Sequence, residues 1–135
     1  MDFTLHPNLE KKALIGDLPL CRVLLEDHAA YPWLFLVPRR PNVSRIMDLS
    51  EADQLQLLRE LDLAQKLLWT EFQPTQLNVA AIGNKTAQLH VHVIARYDND
   101  PAWPQTVWDH PMKLKYSEEE KDRRVARLKD LFSFS

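Results

Sequence analysis

Gln88-Leu89-His90-Val91-His92-Val93-Ile94 alternates polar and apolar side chains, the period of a β-strand with one buried face. Strand geometry sends Gln88, His90 and His92 to one side and Leu89, Val91 and Val93 to the other. Two imidazoles therefore stand in a row, roughly 7 Å apart at Cα. A strand that only had to pack would carry Thr or Lys on its open face more cheaply. The stretch reads as a candidate active site on a strand spanning 88–96.

The chain around it has 135 residues, the size of one domain. A net charge of −2 gives no basic excess, which argues against a nucleic-acid partner. No apolar run is long enough to cross a bilayer, so no membrane partner is expected. The first residues lack a signal peptide's basic start and apolar core. The lone cysteine, Cys21, reads as a small core residue and fits a reducing, cytoplasmic setting. With only Gly16 and Gly83 as glycines, a Gly-rich phosphate loop is absent. Any phosphate must be held by another device.

Upstream of the histidines, residues 8–13 suggest a short helix after Pro7, and Gly16-Asp17 a break. Strands are expected over 18–26 and 31–38, the second buried on both faces, forming an antiparallel hairpin. Arg39 and Arg40 then read either as a phosphate contact or as a solvated strand end. Ser50 begins a helix running to Phe72, with Leu57, Leu61, Ala64 and Leu68 at helical spacing and Leu58, Trp69 and Phe72 widening the stripe. Leu77–Ile82 is a further strand, joined to the histidine strand by a short polar loop that delivers Asn84, Lys85 and Thr86 beside the imidazoles. Residues 97–112 are irregular, with Trp103 and Trp108 either folding over the site or packing on themselves. Ser117 and Glu120 form a capping box for a last helix to Phe132.

Two imidazoles on one face can bind a metal, exchange protons, or let one attack while the other assists; they can also be plain surface residues. Zinc asks for a third or fourth protein ligand, and Cys21, His6, His28 and His110 fall at no ligand spacing. Nucleophilic catalysis has the better physical case. Imidazole is nucleophilic near neutral pH, provided an acceptor on the other ring nitrogen fixes the tautomer. A second imidazole and the loop 84–87 would then stabilise an anion.

The stretch resembles the histidine triad (HIT) motif, His-φ-His-φ-His-φ-φ with φ apolar. The loop Gly83-Asn84-Lys85-Thr86-Ala87, the segments 23–27 and 32–39, and Ile46–Asp53 resemble the surroundings of that motif in the family. The resemblance spans roughly residues 18 to 98, leaving an irregular segment and helix over 99–135 of a single domain. It implies an α+β fold with an antiparallel sheet, a homodimer, and hydrolysis or transfer at a nucleotide α-phosphate with no cofactor and no obligatory metal. His90 takes the nucleophile's place and His92 that of the phosphate-contacting histidine. Asn84, Lys85 and Thr86 fall near phosphate, Glu26 or Asp27 near ribose. Gln88 replaces the first histidine and cannot shuttle a proton. Trp33 stands where some members carry another histidine, to stack on a base or to fill the core. In subtype the chain resembles bacterial diadenosine polyphosphate hydrolases, and adenine nucleotides are the implied substrates. A nucleotide-binding protein without catalysis is the alternative.

Overall fold

The structure is a computed structural model and describes residues 2–134. Strands β1 (Ala13–Asp17), β2 (Cys21–Leu25), β3 (Trp33–Pro38), β4 (Gln76–Ala81) and β5 (Val91–Arg96) form one antiparallel sheet in the order β1-β2-β3-β5-β4. Helices α1 (Pro7–Glu10), α2 (Glu51–Phe72) and α3 (Glu118–Leu131) accompany it. The fold is the expected α+β class.

The β2–β3 hairpin forms as the sequence suggests, and every residue of β3 is buried. Gly16-Asp17 is not a break. It ends β1, where Leu14 pairs with Leu24 but Gly16 with Val23, leaving Ile15 as an extra residue turned into the core. Gly16 lies against the Phe134 ring, and a Cβ would collide with that ring. The first helix is a single turn, because the chain turns into β1 at Ala13.

α2 starts where Ser50 Oγ accepts from the Asp53 N–H at 3.1 Å, and ends at Gln73 with a left-handed φ of 47°. Leu57, Leu61, Ala64 and Leu68 are buried as their spacing predicts. Leu58 and Trp69 are not: they are 63% and 50% exposed. Each sits one residue past a buried leucine, about 100° around the helix, which carries it off the core-facing stripe.

The histidine strand starts at Val91 rather than 88. Its neighbour β4 ends opposite it at Ala81, so Leu89 N–H turns instead to the Val43 carbonyl, at 2.9 Å. The alternation survives this change. Leu89, Val91 and Val93 join the core beneath α2 and α3, with Leu57, Leu61, Leu68 and Leu128. Ile94 belongs to a second apolar cluster on the opposite face, with Leu24, Trp33, Phe35 and Val37. That face is covered, not open, and all of β5 is buried. Its cover includes Leu9 from the N-terminal side and Ala102 and Val107 from the irregular segment.

A buried ion pair anchors the cover. Arg96 Nε meets Asp100 at 2.7 Å, and both side chains are 2% exposed. The same guanidinium donates to Asn78 Oδ1 at 2.8 Å and to the Gln105 carbonyl at 2.8 Å. Arg39 and Arg40 are engaged structurally: Arg39 donates to the Leu18 and Pro19 carbonyls, and Arg40 pairs with Asp53. No helix among the described residues is long and apolar enough to cross a membrane.

Candidate active site

His90 and His92 remain on one face, their ring centroids 5.1 Å apart, and each residue is 6% exposed. Their hydrogen bonds give them opposite tautomers. His90 Nδ1 lies 2.7 Å from the Gln88 carbonyl oxygen. A carbonyl only accepts, so Nδ1 carries the proton and the Nε2 lone pair is available. His92 Nδ1 instead accepts from the Trp33 indole N–H at 3.0 Å. Indole only donates, which places the His92 proton on Nε2. Burial, and then the proximity of His90, push the His92 pKa down to about 4. His92 is therefore neutral at physiological pH and presents a donor where His90 presents a lone pair.

A cleft of about 560 Å³ opens over this pair, lined also by Trp33, Glu26, Asn84, Lys85 and Thr86. The loop after β4 thus brings its three polar residues to the imidazoles. Thr86 is buried and accepts from Asn8 Nδ2 at 3.0 Å. Asn8 stands with Lys11 and Lys12 in the cleft wall, and Trp108 completes it. The sequence reading gave Asn8, Lys11 and Lys12 no place in the site and left Trp108 between folding over it and packing within its own segment. Its only signals were a polar pair of lysines after the first turn and an aromatic in a proline-rich segment.

Glu26 and Asp27 part company. Glu26 faces the cleft, where Lys12 Nζ approaches at 2.8 Å and Lys113 Nζ at 3.0 Å. Burial alone would raise the Glu26 carboxyl, but the hydrogen bonds from Lys12 and Lys113 outweigh it and hold the pKa below the ordinary value. Asp27 is turned away and accepts from the Tyr116 backbone N–H at 2.9 Å.

Gln88 is not beside the imidazoles through its side chain. Its Oε1 accepts from His6 N–H at 2.7 Å and its Nε2 donates to the Thr4 carbonyl at 2.8 Å. It lines a separate recess with Thr4, His6 and Asn42. Its contribution to the cleft is the backbone carbonyl on His90. No cluster of three metal-ligating side chains occurs among the described residues.

Fold and site together define an α+β protein with a His-x-His pair, at and just before the start of β5, on the floor of a cleft. The HIT domain family matches residues 8–99, and the chain belongs to that family. It is similar to a histidine triad protein from Bradyrhizobium japonicum, at 42% identity and a TM-score of 0.92, over 96% of this chain and 98% of that one. A histidine triad protein from Marinobacter aquaeolei VT8 shares 36% identity with a TM-score of 0.94, over 98% of both chains. One from Sinorhizobium meliloti 1021 shares 38% identity with a TM-score of 0.90, over 95% of this chain and 96% of that one. No curated protein matches.

Proposed function

We propose that the protein hydrolyses or transfers at the α-phosphate of a nucleotide, through a nucleotidyl-histidine intermediate on His90. The carrying observation is the 2.7 Å contact between His90 Nδ1 and the Gln88 carbonyl, which leaves Nε2 as the nucleophile. Nε2 attacks phosphorus; the N–P bond forms as the P–O bond to the distal group breaks, its electron pair leaving on oxygen. The imidazolium so formed is held by the Gln88 carbonyl. His92 Nε2–H donates to a non-bridging oxygen as charge develops. Water then attacks phosphorus, the P–N pair returns to Nε2, and the water's proton passes to solvent.

The leaving group follows from Gln88. A phosphate or polyphosphate oxygen leaves near neutral pH without a proton, whereas an amine needs one. The Gln88 amide cannot shuttle protons and is committed to Thr4 and His6. Dinucleoside polyphosphates, diadenosine tetraphosphate among them, are therefore favoured over phosphoramidates. Lys11, Lys12 and Lys85 in the cleft wall suit such an anionic chain, and Asn84 and Thr86 add polar groups. In this reading Glu26 is the ribose contact rather than Asp27, because Glu26 lines the cleft and Asp27 is bonded to the Tyr116 backbone. The reading includes a cytoplasmic hydrolase and a homodimer. The sheet edge at β4 and the exposed side chains of Leu55, Leu58 and Trp69 on α2 offer surfaces for a second copy. Sedimentation velocity of a purely monomeric protein at micromolar concentration would remove the dimer.

Wild type and His90→Ala are incubated with dinucleoside polyphosphates and adenylate phosphoramidates, following nucleotide release. Release by wild type alone, fastest with polyphosphates, is expected. Equal background release from both proteins sinks catalysis, and tight AMP binding alone would then leave a nucleotide-binding protein.

A further inference from the structure

We propose that Trp108 is the platform on which the substrate's nucleobase stacks, an assignment that rests on the nucleotide reading above. Of the aromatic side chains in the cleft wall, Trp33 is 6% and Phe35 3% exposed, whereas Trp108 is 42% exposed. Trp108 lines both this cleft and a recess with Gln76, Asn78 and Arg96, and its cleft-side surface is the aromatic surface open to a planar ring whose phosphate sits on His90 and His92. The indole is close enough to serve the same ligand, its centroid 5.0 Å from that of His92. Its two ring contacts, with His92 at 84° and Trp33 at 87°, are both edge-on. No ring of the described residues lies parallel to it, so parallel stacking is left to a ligand.

The indole's place is fixed by its neighbours and not by its own burial. Val107, beside it in a 3-10 turn (Val107–Asp109), is 5% exposed and anchors that turn in the second apolar cluster. Asp109 Oδ2 accepts from Thr106 N–H at 3.1 Å and from Thr106 Oγ1 at 3.0 Å, closing the turn. Gln105 is tied through its carbonyl to Arg96, four residues beyond His92 on the same strand. The strand that carries the phosphate-side imidazole thus also holds the loop that carries the indole. A rigid, half-exposed tryptophan at that distance suits bases in general, because every base offers a π-face.

The test compares AMP with ribose 5-phosphate, which keeps the sugar phosphate and lacks the base, by titration calorimetry. Wild type is expected to bind AMP about 5- to 100-fold more tightly than ribose 5-phosphate. Trp108→Ala should bring that ratio close to one and leave the ribose 5-phosphate Kd unchanged, while Trp108→Phe keeps an intermediate ratio. A ratio unaltered in Trp108→Ala, or an equal loss for both ligands, overturns the platform but not the nucleotide reading. If wild type binds neither ligand, both fall together.

Discussion

The Trp33 indole N–H donates to His92 Nδ1 at 3.0 Å across the β3–β5 pairing. This bond decides what His92 can offer a substrate. Were Nδ1 protonated, its hydrogen would point at the indole hydrogen. The His92 proton is therefore confined to Nε2, the complement of the His90 arrangement.

Trp33→Phe keeps an aromatic ring and removes the donor. His92 should then populate both neutral tautomers, while burial and the neighbouring His90 keep its pKa low. We expect kcat/KM to fall by up to about 100-fold, the low end of the loss on removing an oriented donor, because His92 keeps its ring and loses only its fixed tautomer. The check is the ¹⁵N chemical shifts of the His92 ring together with kcat/KM. A variant that keeps a pure Nε2–H tautomer and full activity would refute the assignment.

His92 also predicts a pH dependence of stability. Its pKa falls from 6.5 unfolded to about 4 folded, so between those values the unfolded chain binds a proton that the native protein does not. Its contribution is complete above pH 6.5 and is lost as the pH falls toward 4. The ceiling is about 3 kcal/mol. Urea unfolding at pH 7.5 and pH 4.5 should show the loss in wild type and a smaller one in His92→Gln. Identical pH dependence in both proteins would contradict it.

Gln88→Ala removes both side-chain bonds to the N-terminal residues, to Thr4 and to His6. The expected cost is about 1–3 kcal/mol of stability, with KM raised as the segment bearing Asn8, Lys11 and Lys12 loosens. The carbonyl that orients His90 belongs to the backbone and persists, so kcat should stay within about threefold. A kcat loss far beyond tenfold at unchanged stability would put the amide in the chemistry instead.

Asp100→Asn leaves the Arg96 guanidinium buried without its charge partner. Breaking such a pair costs about 3–5 kcal/mol, to be read as a lower midpoint in urea. Because Arg96 also holds Gln105, the fluorescence of Trp108 should shift toward that of a solvated indole before global unfolding. A single transition with an unmoved midpoint would show that the pair does not anchor this segment.

Local pattern alone determined much of this protein. The alternation over 88–94 put both histidines on one face, Ser50 and the leucine spacing defined α2, and the motif indicated the family. These features lie within a few residues of one another, and the 2.0 and 3.6 periods write them directly into the chain. The tertiary structure decided the rest. Whether the histidine face was open depended on where residues 97–116 came to lie, and strand β1 depended on a partner to pair with. Which way Leu58 and Trp69 faced on a long helix turned on the core beneath it. The side chains of Gln88 and Trp33 are engaged by residues 82 and 59 positions away. A glutamine beside two histidines looks like a third catalytic group in one dimension. In three, its side chain fastens the N-terminal residues, its carbonyl orients the His90 ring, and a tryptophan fixes the proton on His92.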